Sequence, residues 1–239
     1  MRTLCALALL TSTGSALAQA PAAAPADPLV GAVSLGYLAT TGNTDSKNAN
    51  ASMKATWDLD GPWKHDWNAL AINARTNGIT TAESYSAGYK ALRDFSETSY
   101  LFFSTDWRQD VFSGYDRQAS QAIGYGRRLI DTERQKLSLE GGAGAKQSDL
   151  TNDGDLDETI IRGGLDYLLN ISESSSFTQK LLIEQGDENR YTESTSALKA
   201  RIVGNIALVF SIVIKDNSDV PVGIENTDRF TSVSLEYAF

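Results

Sequence analysis

The chain has 239 residues, with 30 acidic against 21 basic side chains for a net charge of −9, and 41% of it is hydrophobic. A mean hydropathy of −0.26 excludes a helical membrane bundle, and the acidic balance excludes a basic nucleic-acid binder. The length leaves room for one large domain or two small ones.

The first segment reads as an address. Arg2 supplies a positive start, Leu4 to Leu10 an apolar core, and Ala16-Leu17-Ala18 a small-x-small site. Residues 1–18 are therefore predicted to be a signal peptide cleaved after Ala18, too short to span a bilayer. Residues 19–29, rich in Ala and Pro, read as a flexible lead. Cys5 is the only cysteine and falls inside the signal segment. The mature chain is thus expected to lack disulfides, cysteine catalysis and thiolate metal sites.

Residues 30–239 carry a period of two. Val33, Leu35 and Tyr37 alternate with Ser34 and Gly36, and Ala49, Ala51, Met53, Ala55, Trp57 and Leu59 alternate with Asn50, Ser52, Lys54, Thr56 and Asp58. The parity returns in Leu137 to Ala145 and in Val233, Leu235, Tyr237 and Phe239. Trp67 to Thr76 and Phe177 to Gln185 read in either register, and Ile206 to Ile214 is almost continuously apolar. Turn residues at regular intervals, beginning with Gly42-Asn43 and Asp60-Gly61-Pro62, divide the chain into about twelve strands of about ten residues.

Such strands suit either a soluble sheet with one wet face or a closed barrel with apolar side chains toward lipid and a polar lumen. The apolar face is often Ala or Gly, which lipid tolerates because it need not interlock with a partner. Aromatic residues gather near strand ends: Trp57, Trp63, Trp67, Tyr89, Tyr100, Trp107, Tyr115, Tyr125, Tyr167 and Tyr237. That placement matches interfacial girdles. The expected fold is all-β, an antiparallel up-and-down transmembrane barrel with a polar lumen.

Two stretches carry a family resemblance. Leu35-Gly36-Tyr37 with Thr41-Gly42-Asn43-Thr44, and the closing run from Thr227 to Phe239, resemble the salt-induced outer-membrane protein family, the YdiY-like proteins. The resemblance implies an outer-membrane barrel of a Gram-negative bacterium with no established activity and no catalytic residues to carry over. It also implies a salt-stress association. The terminal Tyr237-Ala238-Phe239 resembles the signal by which barrel-assembly machinery recognises its clients, which makes Tyr237 and Phe239 the predicted assembly signal.

If the polar parity is lumenal, the candidate lumen residues are Lys54, Lys90, Glu140, Arg162, Asp166, Glu184, Lys199 and Arg201. A salt-bridged plug and a narrow water path are both consistent with their mixed signs. Gly124, Gly126, Gly142, Gly144 and Gly164 share the lumenal parity. They either leave a bare wall beside a solute path or relieve strand curvature. Alternation places loops at Gly42 to Lys47, Thr76 to Glu83, Asp110 to Asp116, Lys146 to Asp157, Gly186 to Glu193 and Asp216 to Asn226 on the outer side. Asp149, Asp153 and Asp155 resemble the opening of a calcium loop, but Ile160 stands where its bidentate Glu belongs, so a solvated loop is the better reading.

His65, the only histidine, has Lys64, Asp66 and Trp67 beside it and no neighbouring nucleophile. No catalytic residue, cofactor or metal site is therefore expected, and the chain does not read as an enzyme. The expected function is a narrow passive channel for ions or small solutes, or a structural envelope protein. Its expected partners are outer-membrane lipid, lipopolysaccharide and the assembly machinery, with no nucleic acid and an open oligomeric state. A soluble periplasmic ligand-binding barrel or sandwich and a barrel hydrolase are the competing readings.

Overall fold

A computed structural model describes residues 28–40, 46–59, 61–110, 113–150 and 154–239. The predicted signal peptide, the lead as far as residue 27, the Gly42-Asn43 turn and Asp153 lie outside the described residues. Twelve strands form a closed antiparallel barrel in which each pairs with its chain neighbours and the first meets the last. They are β1 (Leu29–Thr40), β2 (Ser46–Asp58), β3 (Trp63–Thr76), β4 (Ile79–Asp94), β5 (Ser99–Asp110) and β6 (Tyr115–Asp131), followed by β7 (Gln135–Leu150), β8 (Gly154–Asn170), β9 (Ser175–Gln185), β10 (Arg190–Val203), β11 (Ile206–Asn217) and β12 (Thr227–Ala238).

Even strand number brings both ends of the barrel sequence to one rim. The other rim carries the β11–β12 connection and is called the loop end below. Strands of up to 17 residues exceed the expected length. The segments expected as loops at Thr76 to Glu83 and Lys146 to Asp157 are largely strand, with the first reduced to a turn at Asn77-Gly78. Both residues of that turn have positive φ, 52° and 81°, as a two-residue hairpin with right-handed twist requires.

Alternation determines which side chains face outward. On β1 and β12, Leu35, Tyr37, Val233, Leu235 and Tyr237 are exposed, whereas Ser34, Ser234 and Glu236 are buried. The register carries this parity around the barrel, since Val33 opposes both Met53 and Tyr237, and Ser34 opposes Ser52 and Glu236. It also resolves the three ambiguous stretches. Asn68, Leu70 and Ile72 line the lumen, as do Thr178, Lys180 and Leu182 on β9 and Val209, Ser211 and Val213 on β11.

The outer surface is an apolar belt with aromatic residues toward the terminus end. His65 joins that girdle: its ring centroid lies 6.0 to 6.4 Å from those of Trp57, Trp63, Trp67 and Tyr89. Two of the expected girdle residues behave differently. Tyr100 and Tyr115 are buried, Tyr100 facing inward on β5 and Tyr115 bonding the Asp219 carbonyl under the β11–β12 connection. Their strand-end positions were compatible with either face; the register puts Tyr100 opposite Gly126, on the lumenal side.

Candidate functional site

One side of the lumen is filled. Arg108 on β5 donates from Nη1 to Glu184 on β9 at 3.0 Å, and Arg162 on β8 donates to Glu184 and to Asp106, each at 2.7 Å. Ser120 Oγ adds a 2.9 Å bond to Glu184, which is fully buried, and the Arg108 guanidinium stacks 4.2 Å from the Tyr191 ring. A carboxylate out of water persists only with its lone pairs occupied and its charge opposed, and two arginines and a hydroxyl supply both.

The same side is sealed at the loop end. Lys146 and Glu158 pair at 2.8 Å, both almost fully buried. Glu158 Oε1 accepts from the backbone N–H groups of Glu188 and Asn189, drawing the β9–β10 turn inward. Asn189 bonds Asn217, and its side-chain oxygen accepts from the Asp219 backbone, so the β11–β12 connection folds over the turn.

Charged side chains then cross the lumen and bound the filled region. Lys215 on β11 reaches Ser84 on β4 at 2.6 Å and Asp110 on β5 at 3.6 Å. Lys90 on β4 grips both oxygens of Glu140 on β7 at 2.6 and 2.8 Å, and Tyr100 donates to the same carboxylate at 3.0 Å. Beyond this partition lies a cavity of about 1050 Å³ along the side formed by β1–β4 and β9–β12. Its lining runs from Asn48, Ala74 and Asp228 near the loop end to Thr56, Lys199 and Ala238 near the terminus end. At the terminus end a second space of about 360 Å³ adjoins it, lined by Lys54, Lys136, Lys180 and Lys199 against Asp166 and Glu236. Glu236 pairs with Lys54 at 3.2 Å and with Lys199 at 3.3 Å, so two ammonium groups share one carboxylate there.

The glycine-rich wall is not bare. A Cβ on Gly124 would lie 2.6 Å from the Phe102 ring, and one on Gly126 would strike the Tyr100 ring. Gly142 and Gly144 lie against the β6 backbone, where any side chain would meet the carbonyls of Ile123 and Gln121. The path placed beside these glycines is thus corrected: two aromatic rings from β5 cover Gly124 and Gly126, the β6 backbone abuts Gly142 and Gly144, and the open space lies on the opposite side. Of the five, Gly164 alone lines the cavity, beside Glu140.

The family described as "Protein of unknown function, DUF481" matches residues 33–239. The chain belongs to the DUF481 family. A curated relative, "Uncharacterized protein YdiY" of Escherichia coli (strain K12), is 29% identical over 212 residues, covering 88% of this chain and 83% of that one. Among solved structures, the COG4313 outer membrane channel from Pseudomonas putida F1 superposes with a TM-score of 0.50 at 11% identity, over 90% of this chain and 96% of that one. The NanC porin gives 0.49 at 10% identity, over 87% and 97%. At 11% identity the likeness to the COG4313 channel is one of fold.

Within this DUF481 barrel seven of the eight lumen candidates divide into two groups, and Arg201 stands apart. Glu184 and Arg162 belong to the filled side, with Arg162 also forming part of the cavity wall. Lys54, Lys90, Glu140, Asp166 and Lys199 line the cavity, with Asp166 paired to Lys180 at 3.0 Å. Arg201 shares their parity, opposite Ala207, and is exposed at the terminus rim. Sequence parity misses Lys215, hidden behind the apolar run before it, and Tyr191 and Asp110, which fall within segments expected as loops.

Tyr237 and Phe239, the expected assembly signal, are both exposed on the outer face. Asp149 and Asp155 oppose each other across β7 and β8, and Asp149 pairs with Arg117, so this acidic pair belongs to a strand hairpin. Among the described residues no group of three His, Cys, Asp or Glu side chains is placed to hold a metal ion. His65 Nδ1 lies 2.8 Å from the Tyr89 hydroxyl within the outer girdle, facing away from the lumen.

Proposed function

We propose that the chain is a narrow passive channel of the bacterial outer membrane, conducting ions or small solutes along the β1–β4 and β9–β12 side of its lumen. The cavity of about 1050 Å³ with lining residues at both ends carries this reading. Fixed charges of both signs along a confined path stabilise hydrated ions without trapping one species. The exposed apolar belt and girdle support the membrane location, with lipid, lipopolysaccharide and, through Tyr237 and Phe239, the assembly machinery as partners. In this orientation the termini face the periplasm and the loop end faces outward.

A non-enzymatic role accords with the placement of His65, whose ring is held among aromatic residues on the outer face. The salt-stress association predicts a rise in transcript abundance on osmotic upshift, and an unchanged level would overturn it. The decisive experiment is planar-bilayer recording of the refolded protein with its Lys54→Glu/Lys199→Glu variant. The reading expects discrete conductance steps and a reversal potential displaced toward cations in the variant. Absence of steps, or an unchanged reversal potential, overturns it.

A further inference from the structure

The seam between the first and last strands is unlike the other strand pairs. The β1–β12 ladder runs only from Ala32↔Ala238 to Leu35↔Leu235, whereas β1 stays paired with β2 as far as Thr40↔Ser46 and β12 with β11 as far as Thr227↔Asp216. Toward the loop end, therefore, Gly36–Thr40 and Thr227–Ser234 each have one ladder neighbour. A backbone edge without a partner is unfavourable in hydrocarbon and is tolerated where it borders a cavity or another ligand.

The end of the ladder is spanned by side chains. Ser234 Oγ on β12 donates to Asn50 Oδ1 on β2 at 2.9 Å, passing β1 at Gly36. A Cβ at Gly36 would lie 2.5 Å from Asn50 Nδ2 and 2.6 Å from the Val233 carbonyl, so glycine is what lets this bridge close. One hydrogen bond thus replaces a continued ladder at the point where the strands part.

The seam is apolar outside and polar inside, where Ser34, Ser232 and Ser234 carry the lumenal parity. Outside, Leu35, Tyr37 and Val233 are exposed to the belt. Behind that rim, Leu70 and Ile72 on β3, Val213 on β11 and Phe230 on β12 line the loop-end half of the cavity, among polar residues such as Asn48, Ser211 and Asp228. Water gains nothing from such a surface, whereas an acyl chain does. The volume is at the upper end of the roughly 300–1,000 Å³ range of small-molecule sites.

We propose that the loop-end half of the β1–β12 seam is a lateral entrance, latched by Ser234 and Asn50, through which the acyl chain of a single-chain amphiphile passes between bilayer and lumen. The chain lies against Leu70, Ile72, Val213 and Phe230, and its polar head remains with the ion-paired groups of the passage. This extends the channel reading by a second class of solute and rests on the membrane location proposed above.

The test is photolabelling in nanodiscs with a diazirine-bearing palmitic acid, mapped by mass spectrometry. Tyr37→Cys/Val233→Cys in a Cys5→Ser background, joined by oxidation or a short bis-maleimide, clamps the seam. Val33→Cys/Tyr237→Cys clamps the existing ladder as a control. Expected are labels on lumenal residues such as Ile72 and Phe230, reduced about ten-fold by the seam clamp, restored when an oxidised clamp is reduced, and unchanged by the control clamp. Ser234→Ala, which opens the latch without a cross-link, speeds lumenal labelling several-fold. Labels confined to outward residues such as Leu35, or lumenal labels indifferent to both the clamp and Ser234→Ala, overturn the inference. Failure to integrate into nanodiscs overturns the membrane reading with it, whereas a protein that integrates, conducts and labels only outside overturns the lateral entrance alone.

Discussion

The Phe239 ring lies over Gly31: a Cβ built on that glycine would stand 2.5 Å from Phe239 Cζ, and the two backbones exchange hydrogen bonds of 2.8 and 2.9 Å. The last residue thereby closes the terminus end of the β1–β12 seam from the outside, where the ladder is intact. Gly31→Val displaces the ring while leaving both backbone bonds available. The expected cost is about 1–3 kcal/mol, the usual range for forcing bulk into a packed contact. It is read as a lower temperature for the heat-induced shift of the folded band on SDS gels.

Glu184 neutralises two guanidinium groups at once. Glu184→Gln keeps its shape and removes the charge that opposes Arg108 and Arg162. Leaving buried cations uncompensated costs about 3–5 kcal/mol, reduced here to the extent that Asp106 still holds Arg162. Urea titration of the protein in detergent micelles should show a lower midpoint. An unchanged midpoint would mean that the filled side of the lumen is wetter than the packing indicates.

Gly126→Ala tests the covered glycine wall. The added methyl group displaces Tyr100, whose hydroxyl helps hold Glu140 beside Lys90. The variant is expected to lose about 1–3 kcal/mol, whereas Gly163→Ala, with nothing within 4 Å of its new methyl group, is expected to fold as stably as the parent. Tryptophan fluorescence melts of the two variants side by side give the comparison.

His65→Phe preserves an aromatic ring in the outer girdle and removes any proton-transferring nitrogen. Conductance and heat shift should both match the parent protein, with stability within about 0.5 kcal/mol as for most surface substitutions. Any hydrolytic activity toward phospholipid or peptide that the parent shows and the variant lacks would contradict the placement of this residue in a purely interfacial role.

Much of this barrel was legible in the sequence because side chains alternate with a period of two, and a long run such as Asn48 to Leu59 admits one facing. The polar parity identified Lys54, Lys90, Glu140 and Glu184 as inward for that reason. Where both faces are apolar the period carries no sign: Leu70, Ile72, Val209 and Val213 point into the lumen, and only the ladder registers with β2, β4, β10 and β12 orient them. Nor does alternation report position around the barrel. Gly124 and Gly126 looked vacant along their own strand, and the rings that fill the space belong to Tyr100 and Phe102 on the next strand. The partition of the lumen depends on contacts such as Lys215 with Ser84, 131 positions apart, which no local pattern announces.

The eccentric passage is tested most directly by the reaction of single introduced cysteines with a water-soluble methanethiosulfonate reagent, in the Cys5→Ser protein reconstituted in liposomes. Asn68→Cys and Thr195→Cys line the cavity, whereas Ser120→Cys, behind the arginines, and Ser148→Cys, on the sealed side of β7, replace fully buried side chains. The account predicts rapid modification of the first two and at least about 100-fold slower modification of the others, roughly the 3 kcal/mol lower limit for disturbing the buried ion pairs. Equal rates at all four positions would mean an evenly open or evenly closed lumen, and would contradict a passage confined to one side.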